Sequence, residues 1–128
     1  MQTLTSDQHE LLSYYFHLLN SIEEGFDYVI DSFQNLQFTE SERIFSDIIS
    51  AFYHIDSSNP SILSVVEAND ELSKEIAKFD SVIKTLEGIE SIFTNPEEYH
   101  AFVKNQLTPS FLAWKEAVQS RMQPYITH

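Results

Sequence analysis

The feature that most constrains this chain is a long run of apolar residues at spacings of three and four near its amino terminus. Such spacing places side chains on one face of an α-helix and predicts a helix over residues 6–36, with Thr5 or Ser6 as its cap. A second apolar line beside the first widens the apolar arc to about 200°, broader than the stripe of a surface helix. We therefore expect this helix to face more than one neighbour. The first line consists of Leu11, Tyr15, Leu18, Ile22, Phe26, Val29, Phe33 and Leu36.

The second predicted helix covers residues 40–55 and begins with a capping-box sequence. The side chain of Thr39 can accept the backbone N–H of Glu42, whose carboxylate can reach back to the backbone of Thr39. A polar stretch that ends at Pro60 follows this segment, and it predicts the end of the second helix.

An Asn-Pro pair starts the third predicted helix, over residues 60–93. Asn59 serves as the cap and Pro60 takes the first helical position, where a missing N–H costs nothing. The apolar residues of this helix follow a seven-residue repeat that places Asn69 in the seam. Asn69 then either fixes the register of the packed helices or points into solvent where the helix turns away.

The fourth predicted helix, over residues 96–122, also begins with an Asn-Pro pair. Pro109 removes a backbone hydrogen bond inside it, so we expect a kink or break near residues 107–110. Pro124 is expected to end it. The chain is therefore predicted to be a single domain over residues 1–128: an all-α, four-helix, mostly antiparallel (up-down) bundle with long helices and a kinked last helix.

The charge of the chain excludes several classes of partner. The formal net charge is −13, and residues 1–42 contain no Lys or Arg. Such a field repels phosphate backbones, so we expect no nucleic-acid binding.

The apolar runs of the sequence are too short for membrane insertion. The absence of cysteine fits a reducing compartment, which predicts a cytoplasmic protein.

Candidate catalytic and metal-binding motifs are weak. Glu97 and His100 have the spacing of a di-iron ligand pair, but that site needs a second such motif, which the sequence lacks. An acidic residue in the first turn of a helix is also explained by the helix dipole. With two glycines the chain has no phosphate-binding loop. We therefore predict no catalytic, cofactor-binding or metal site, and no cofactor.

The strongest candidate for a functional surface is the first helix. Its polar face runs through Asn20, Glu23, Glu24, Asp27, Asp31 and Gln34. This face either keeps the protein soluble or docks a basic partner segment. Tyr14 and Tyr28 lie at the margin of the apolar arc, and tyrosine is common in interfaces because it tolerates partial exposure. The candidate interface residues are Tyr14, Glu24, Asp27, Tyr28 and Asp31.

These features favour a non-enzymatic protein-protein interaction module whose specific role the sequence does not define, with a basic or amphipathic helix as the candidate partner. A homodimer through the first or last helix is also expected, because a short second helix would leave one flank of the bundle uncovered. In size, acidity and helix length the chain resembles the export chaperones of secretion and flagellar systems. That resemblance implies a holder of an amphipathic partner helix, in a groove beside the first or last helix. A further alternative is an enzyme or small-molecule-binding bundle with its site in the core.

Overall fold

The computed structural model describes residues 4–35, 39–92 and 94–127, and it confirms the all-α bundle. The described elements are α1 (Ser6–Ser32), α2 (Ser41–Val65), α3 (Asp70–Ala77), α4 (Phe79–Glu87), a 3₁₀ turn (Gly88–Ser91), α5 (Pro96–Phe102), a π turn (Val103–Leu107) and α6 (Thr108–Ile126). Consecutive segments combine into four rods: α1, α2, α3 with α4, and α5 with the π turn and α6. No helix in these ranges is long and apolar enough to cross a membrane.

The four rods surround one core. The first rod packs against α2 on one flank and α6 on the other, and the third rod packs against the same two helices. At the centre each rod contributes one fully buried phenylalanine: Phe26, Phe52, Phe79 and Phe111. The ring centroid of Phe52 lies 5.9 Å from that of Phe26, 5.6 Å from that of Phe79 and 5.3 Å from that of Phe111. Burying four such rings in contact ties the rods together.

The first helix begins as its sequence predicts. Thr5 is the cap: its hydroxyl accepts the backbone N–H of Gln8 at 3.1 Å, and the side chain of Gln8 accepts the N–H of Thr5 at 3.0 Å. This reciprocal pair satisfies two backbone donors that a helix start otherwise leaves open. The last residue of the described helix is Ser32. The predicted end at Leu36 lies outside the described residues.

The predicted capping box at Thr39 is wrong. Glu40 occupies the cap position of α2 and makes no side-chain capping bond. Its backbone N–H instead donates to the hydroxyl of Tyr28 at 3.2 Å, and the hydroxyl of Ser32 donates to that of Ser41 at 2.9 Å. Contacts from α1 therefore replace the local cap that the sequence suggested.

The predicted break at residues 56–60 is also wrong, because α2 continues through Pro60 to Val65. A proline inside a helix costs about 3 kcal/mol through its missing hydrogen bond and its ring clash. Buried contacts on both sides offset that cost. Ile55 and Ile62 are completely buried, and the hydroxyl of Tyr15 donates to the buried Asn59 Oδ1 at 2.7 Å. Asn59 is therefore a core residue of α2 and not a cap.

The third predicted helix begins ten residues later than expected. Asn69 caps α3 by accepting the N–H of Leu72 at 3.0 Å, so it interrupts the seven-residue repeat. It is half-buried, and its amide nitrogen donates to the hydroxyl of Tyr125 in α6 at 3.4 Å, so it does not point freely into solvent. A bend at Lys78 then separates α3 from α4. The indole N–H of Trp114 donates to the backbone oxygen of Glu75 at 2.8 Å. A side chain that bonds a helix carbonyl in this way disturbs the regular backbone hydrogen bonds and is a known cause of helix bends. The predicted end at residue 93 lies outside the described residues.

The last helix carries the expected distortion as a π turn. Asn95 caps α5 by accepting the N–H of Glu98 at 3.1 Å, as its sequence predicts. The N–H of Thr108 bonds the oxygen of Val103, five residues back, directly before Pro109. One residue is thus added ahead of the proline, whose ring cannot follow a regular turn. The predicted stop at Pro124 is wrong, since α6 continues to Ile126.

Candidate protein-binding seam

The tyrosines predicted for the interface lie on the α2 side of α1. Tyr14 is 58% exposed and meets His54 of α2 edge to face, with ring centroids 6.3 Å apart. Tyr28 is half-buried, and its hydroxyl accepts the N–H of Glu40. Tyr28 therefore supports the start of α2, and Tyr14 is the one of the two that solvent reaches freely.

The opposite flank of α1 faces the last rod, and an open cleft of about 540 Å³ lies there. Phe16 of α1 and Leu112 of α6, both half-buried, supply its apolar surface. Polar and charged side chains surround them: Glu23, Lys115, Glu116, Gln119, Ser120 and Gln123. We call this the first cleft.

Three polar contacts, made by two side chains of α6, join the sides of the first cleft. The amide nitrogen of Gln119 donates to the backbone oxygen of Phe16 at 2.9 Å and to the side-chain oxygen of Asn20 at 3.0 Å. The ammonium of Lys115 lies 2.8 Å from Glu23 Oε1, and the side chain of Lys115 is only 12% exposed. The positive charge of Lys115 is thus largely compensated inside the protein.

A second cleft, of about 350 Å³, opens near the carboxyl end of α1. Its apolar surface comes from Ile30, Phe33 and Ala101, and its polar groups come from Asp31, Gln34, His100 and Lys104. The rings of Phe33 and His100 stack with centroids 3.8 Å apart and planes 11° apart. The stack holds the imidazole flat against the end of α1, and we call this space the second cleft.

Aromatic side chains from three rods support the second cleft from behind. Tyr99 lies beside Phe33, with centroids 6.0 Å apart, and beside Phe45, with centroids 5.6 Å apart. Burial, with a smaller contribution from the charge of Glu42, raises the pKa of Tyr99 to about 12. The direction of this shift reflects the partly desolvated surroundings of the hydroxyl, which disfavour the charged form.

The π turn shapes the second cleft. Phe102 and Val103 are both buried at its start, and Leu107 and Thr108 are both buried at its end. The extra residue lets neighbouring side chains turn inward at each end of the turn, which leaves Lys104 between them on the exposed side. The distortion therefore places a cation at the rim of the cleft.

One stripe of α1 joins the two clefts. Glu23 contacts α6, Asp27 lies one helical turn further on the same face, and Ile30 and Asp31 reach the second cleft. From Phe16 to Gln34 the stripe is about 27 Å long. We name this stripe, together with the side chains of α5, the π turn and α6 that border the two clefts, the α1–α6 seam.

The structure therefore divides the predicted interface residues between two flanks. Asp31 lines the second cleft, Asp27 lies on the stripe between the clefts, and Tyr14 and Tyr28 belong to the α2 side. Glu24 is exposed on the outer surface between them. Sequence patterns did not identify the residues that the last rod contributes to the first cleft, chiefly Leu112 and Gln119. Pro109 marked the distortion but could not show which side chains it would turn towards α1.

The two residues of the potential ligand pair in α5 lie in different surroundings. Glu97 is exposed in the first turn, while His100 stacks on Phe33. Within residues 4–35, 39–92 and 94–127, no group of three or more His, Asp or Glu side chains is arranged to hold a metal ion.

Comparison with known proteins gives a family and one curated relative. A family model described as "Domain of unknown function (DUF8042)" matches residues 10–117. The chain is 30% identical over 122 residues to a protein of Bacillus subtilis (strain 168) described as "Uncharacterized protein YvzG", covering 94% of this chain and 95% of that one. No solved structure matches the chain.

Proposed function

We propose that this chain, which belongs to the DUF8042 family, is a non-enzymatic module that binds another protein through the α1–α6 seam. One observation carries the proposal: two clefts open on the same flank of α1, at either end of a stripe that bears Asp27 and Asp31. Protein interfaces commonly have an apolar core and a polar rim, and the α1–α6 seam combines apolar and charged side chains in this way.

The charge of the seam favours a protein partner with basic residues. Asp27, Asp31 and Glu116 form no ion pair with any described residue, whereas Lys115 is paired with Glu23. Unpaired carboxylates attract basic side chains and repel the phosphates of nucleic acids and anionic lipids. We extend the proposal to a cytoplasmic location, supported by the absence of cysteine from the sequence.

A different protein is favoured over a second copy of this chain. The homodimer prediction relied on a short second helix, but α2 has 25 residues. The broad apolar arc of α1 is covered on both sides, by α2 and by α6. Among the described residues, the large apolar side chains that remain exposed are Tyr14 and Tyr53. A second copy would also bring carboxylates against carboxylates, since both copies carry the same −13 charge.

An enzyme or small-molecule site in the core is less favoured. The central layer is occupied by four phenylalanine rings, and the ring of Phe52 contacts the other three. The ring centroids of Trp114 and Phe79 are 4.5 Å apart. A catalytic site needs converging polar groups with shifted pKa values in a concave space. The buried hydrogen bond between Tyr15 and Asn59 lies between α1 and α2 and serves their packing.

The proposal is tested by affinity capture from native lysate with three immobilised proteins. The wild type should retain a specific protein, and the double variant Asp27→Lys/Asp31→Lys should lose it. The control Glu87→Lys/Glu90→Lys carries the same charge change at exposed positions, one in α4 and one in the 3₁₀ turn, and should retain the protein. Equal retention by the seam variant, or loss by both variants, would contradict the proposal.

Sedimentation equilibrium of the wild type should give a monomer, and a tight dimer would favour self-association instead.

A further inference from the structure

The spacing of the two clefts matches the length of a short helix. The centres of the α1 segments that line them, residues 16–23 and 30–34, are separated by about 19 Å along the helix axis. A second helix lying beside α1 would place side chains about 11 to 14 residues apart on one face at that distance. One partner helix can therefore reach both clefts at once.

The surface between the clefts is suited to a helix more than to an extended peptide. Extended peptides commonly bind by adding a strand to the open edge of a sheet, where backbone groups lack hydrogen-bond partners. The described residues of this chain form helices and turns only, so they offer no such edge. A helix satisfies its own backbone hydrogen bonds and needs only side-chain contacts from the surface it binds.

The chemistry along the seam defines which side chains that helix carries. Phe16 and Leu112 are apolar in the first cleft, and Ile30 and Phe33 are apolar in the second. Each cleft suits one apolar anchor, since anchors in pockets contribute most of the energy of an interface. Asp27 lies between the clefts without an ion-pair partner among the described residues. Basic residues between the anchors complement it.

We infer that the α1–α6 seam holds a single amphipathic, basic α-helix of a partner protein, with one apolar anchor in each cleft about 11 to 14 residues apart. Lys or Arg side chains between the anchors pair with Asp27 and Asp31. This inference rests on the proposed function and adds to it the conformation, the anchor spacing and the charge of the bound segment. Lys104, at the rim of the second cleft, then disfavours a base beyond the second anchor.

The test uses a synthetic peptide of about 18 residues, long enough to span both clefts as a helix. It carries leucines at positions i and i+11, lysines at i+4 and i+7, and alanine elsewhere, and its binding is followed by fluorescence anisotropy. One control peptide replaces the lysines with glutamates, and the other moves the second leucine to i+9, on the opposite face. We expect saturable binding of the first peptide, weakened by salt, and affinities about tenfold lower for both controls.

Two protein variants close the clefts without touching the core. Ala101 lines the second cleft and Ser120 lines the first, and both are exposed. Ala101→Trp and Ser120→Trp should each retain the helical circular dichroism spectrum. Each should lower the affinity for the two-leucine peptide about tenfold. A peptide with a single leucine should bind weakly to the wild type. Because its one anchor occupies one cleft, only one of the two tryptophan variants should lower its affinity further.

The inference is overturned if the first peptide shows no saturable binding, if the glutamate peptide binds equally well, or if both tryptophan variants bind like the wild type. Lysate capture separates this failure from failure of the proposed function. A partner lost by Asp27→Lys/Asp31→Lys but retained by both tryptophan variants would leave the seam as a binding surface and exclude the helix in its clefts.

Discussion

The two flanks of α1 are built differently, although the same helix forms both. On the α2 flank Gly25 allows close approach: a Cβ placed there would lie 3.2 Å from side-chain atoms of Ile48 and 3.5 Å from Ile44. On the α6 flank Lys115, Gln119 and their partners on α1 form polar contacts, and open clefts lie at both ends. The comparison shows closer apolar packing on the α2 flank and open clefts on the α6 flank, and the proposed binding surface rests on this difference.

The largest expected difference between the flanks comes from truncating one apolar side chain on each. Ile48 is buried on α2, and Ile48→Ala should lower the free energy of unfolding by about 2–5 kcal/mol through lost contacts and the cavity left behind. Leu112 is half-buried in the first cleft, and Leu112→Ala should cost about 1 kcal/mol or less because solvent already reaches it. Urea denaturation measures both. Equal costs would remove the distinction between the flanks.

A smaller effect is expected from the buried hydrogen bond of the α2 flank. Tyr15→Phe removes the donor to Asn59 Oδ1, which remains buried, and should destabilise the protein by about 1–3 kcal/mol. Tyr14→Phe is the matched control on the same helix, since Tyr14 is exposed, and it should change stability by less than about 0.5 kcal/mol. Thermal denaturation of both variants would show this order. A neutral Tyr15→Phe would mean that the bond contributes nothing to joining α1 and α2.

The close approach at Gly25 gives a third prediction, of about 1 kcal/mol destabilisation for Gly25→Ala. Alanine gains up to about 1 kcal/mol of helix propensity, but the new methyl group crowds Ile48 and outweighs that gain. The control is Gly88→Ala in the 3₁₀ turn, where the added Cβ would lie at an ordinary 3.6 Å from Phe102. That variant should be neutral or slightly stabilising. Stabilisation by Gly25→Ala would show that the α2 flank packs less tightly than its distances indicate.

The smallest effect is expected on the α6 flank, at the ion pair of Lys115 and Glu23. Lys115→Met keeps most of the side-chain volume and leaves Glu23, which is 41% exposed, in contact with solvent. The change in stability should stay within about 1 kcal/mol, since a partly exposed pair contributes little. A double-mutant cycle with Glu23→Gln measures the coupling directly. A coupling of several kcal/mol would show that this flank also holds the bundle together.

Local sequence signals predicted the helices well and their boundaries unevenly. The caps at Thr5 and Asn95 were predictable because the partner of each lies three residues away in the chain. Asn59 and Pro60 have the same local pattern as Asn95 and Pro96, yet they continue a helix, because Tyr15, 44 residues away, supplies a hydrogen bond that local pattern cannot reveal. Thr39 does not cap α2, and a distant residue again contributes at this helix start, since the hydroxyl of Tyr28 accepts the N–H of Glu40.

For the candidate surface, the sequence predicted the exposed face of α1 but not the clefts beside it. Helical spacing correctly grouped Asp27 and Asp31 on one exposed face of α1, because that face follows from the period alone. The clefts need the position of the last rod, and that depends on the π turn and on side chains such as Leu112, which are about 80 residues further along the chain. Periodicity fixes which residues point outward from a helix, but it does not fix which neighbour they point towards.

The most direct test of this account is hydrogen–deuterium exchange of the backbone amides, measured with and without the captured partner. Binding at the α1–α6 seam should slow exchange in α1 from Phe16 to Ser32 and in the last rod around its π turn, because a bound partner suppresses local opening. Exchange around Tyr14 and Tyr53, towards α2, should change little. Protection confined to α2 and the exposed tyrosines, with an unchanged α1–α6 seam, would contradict the account.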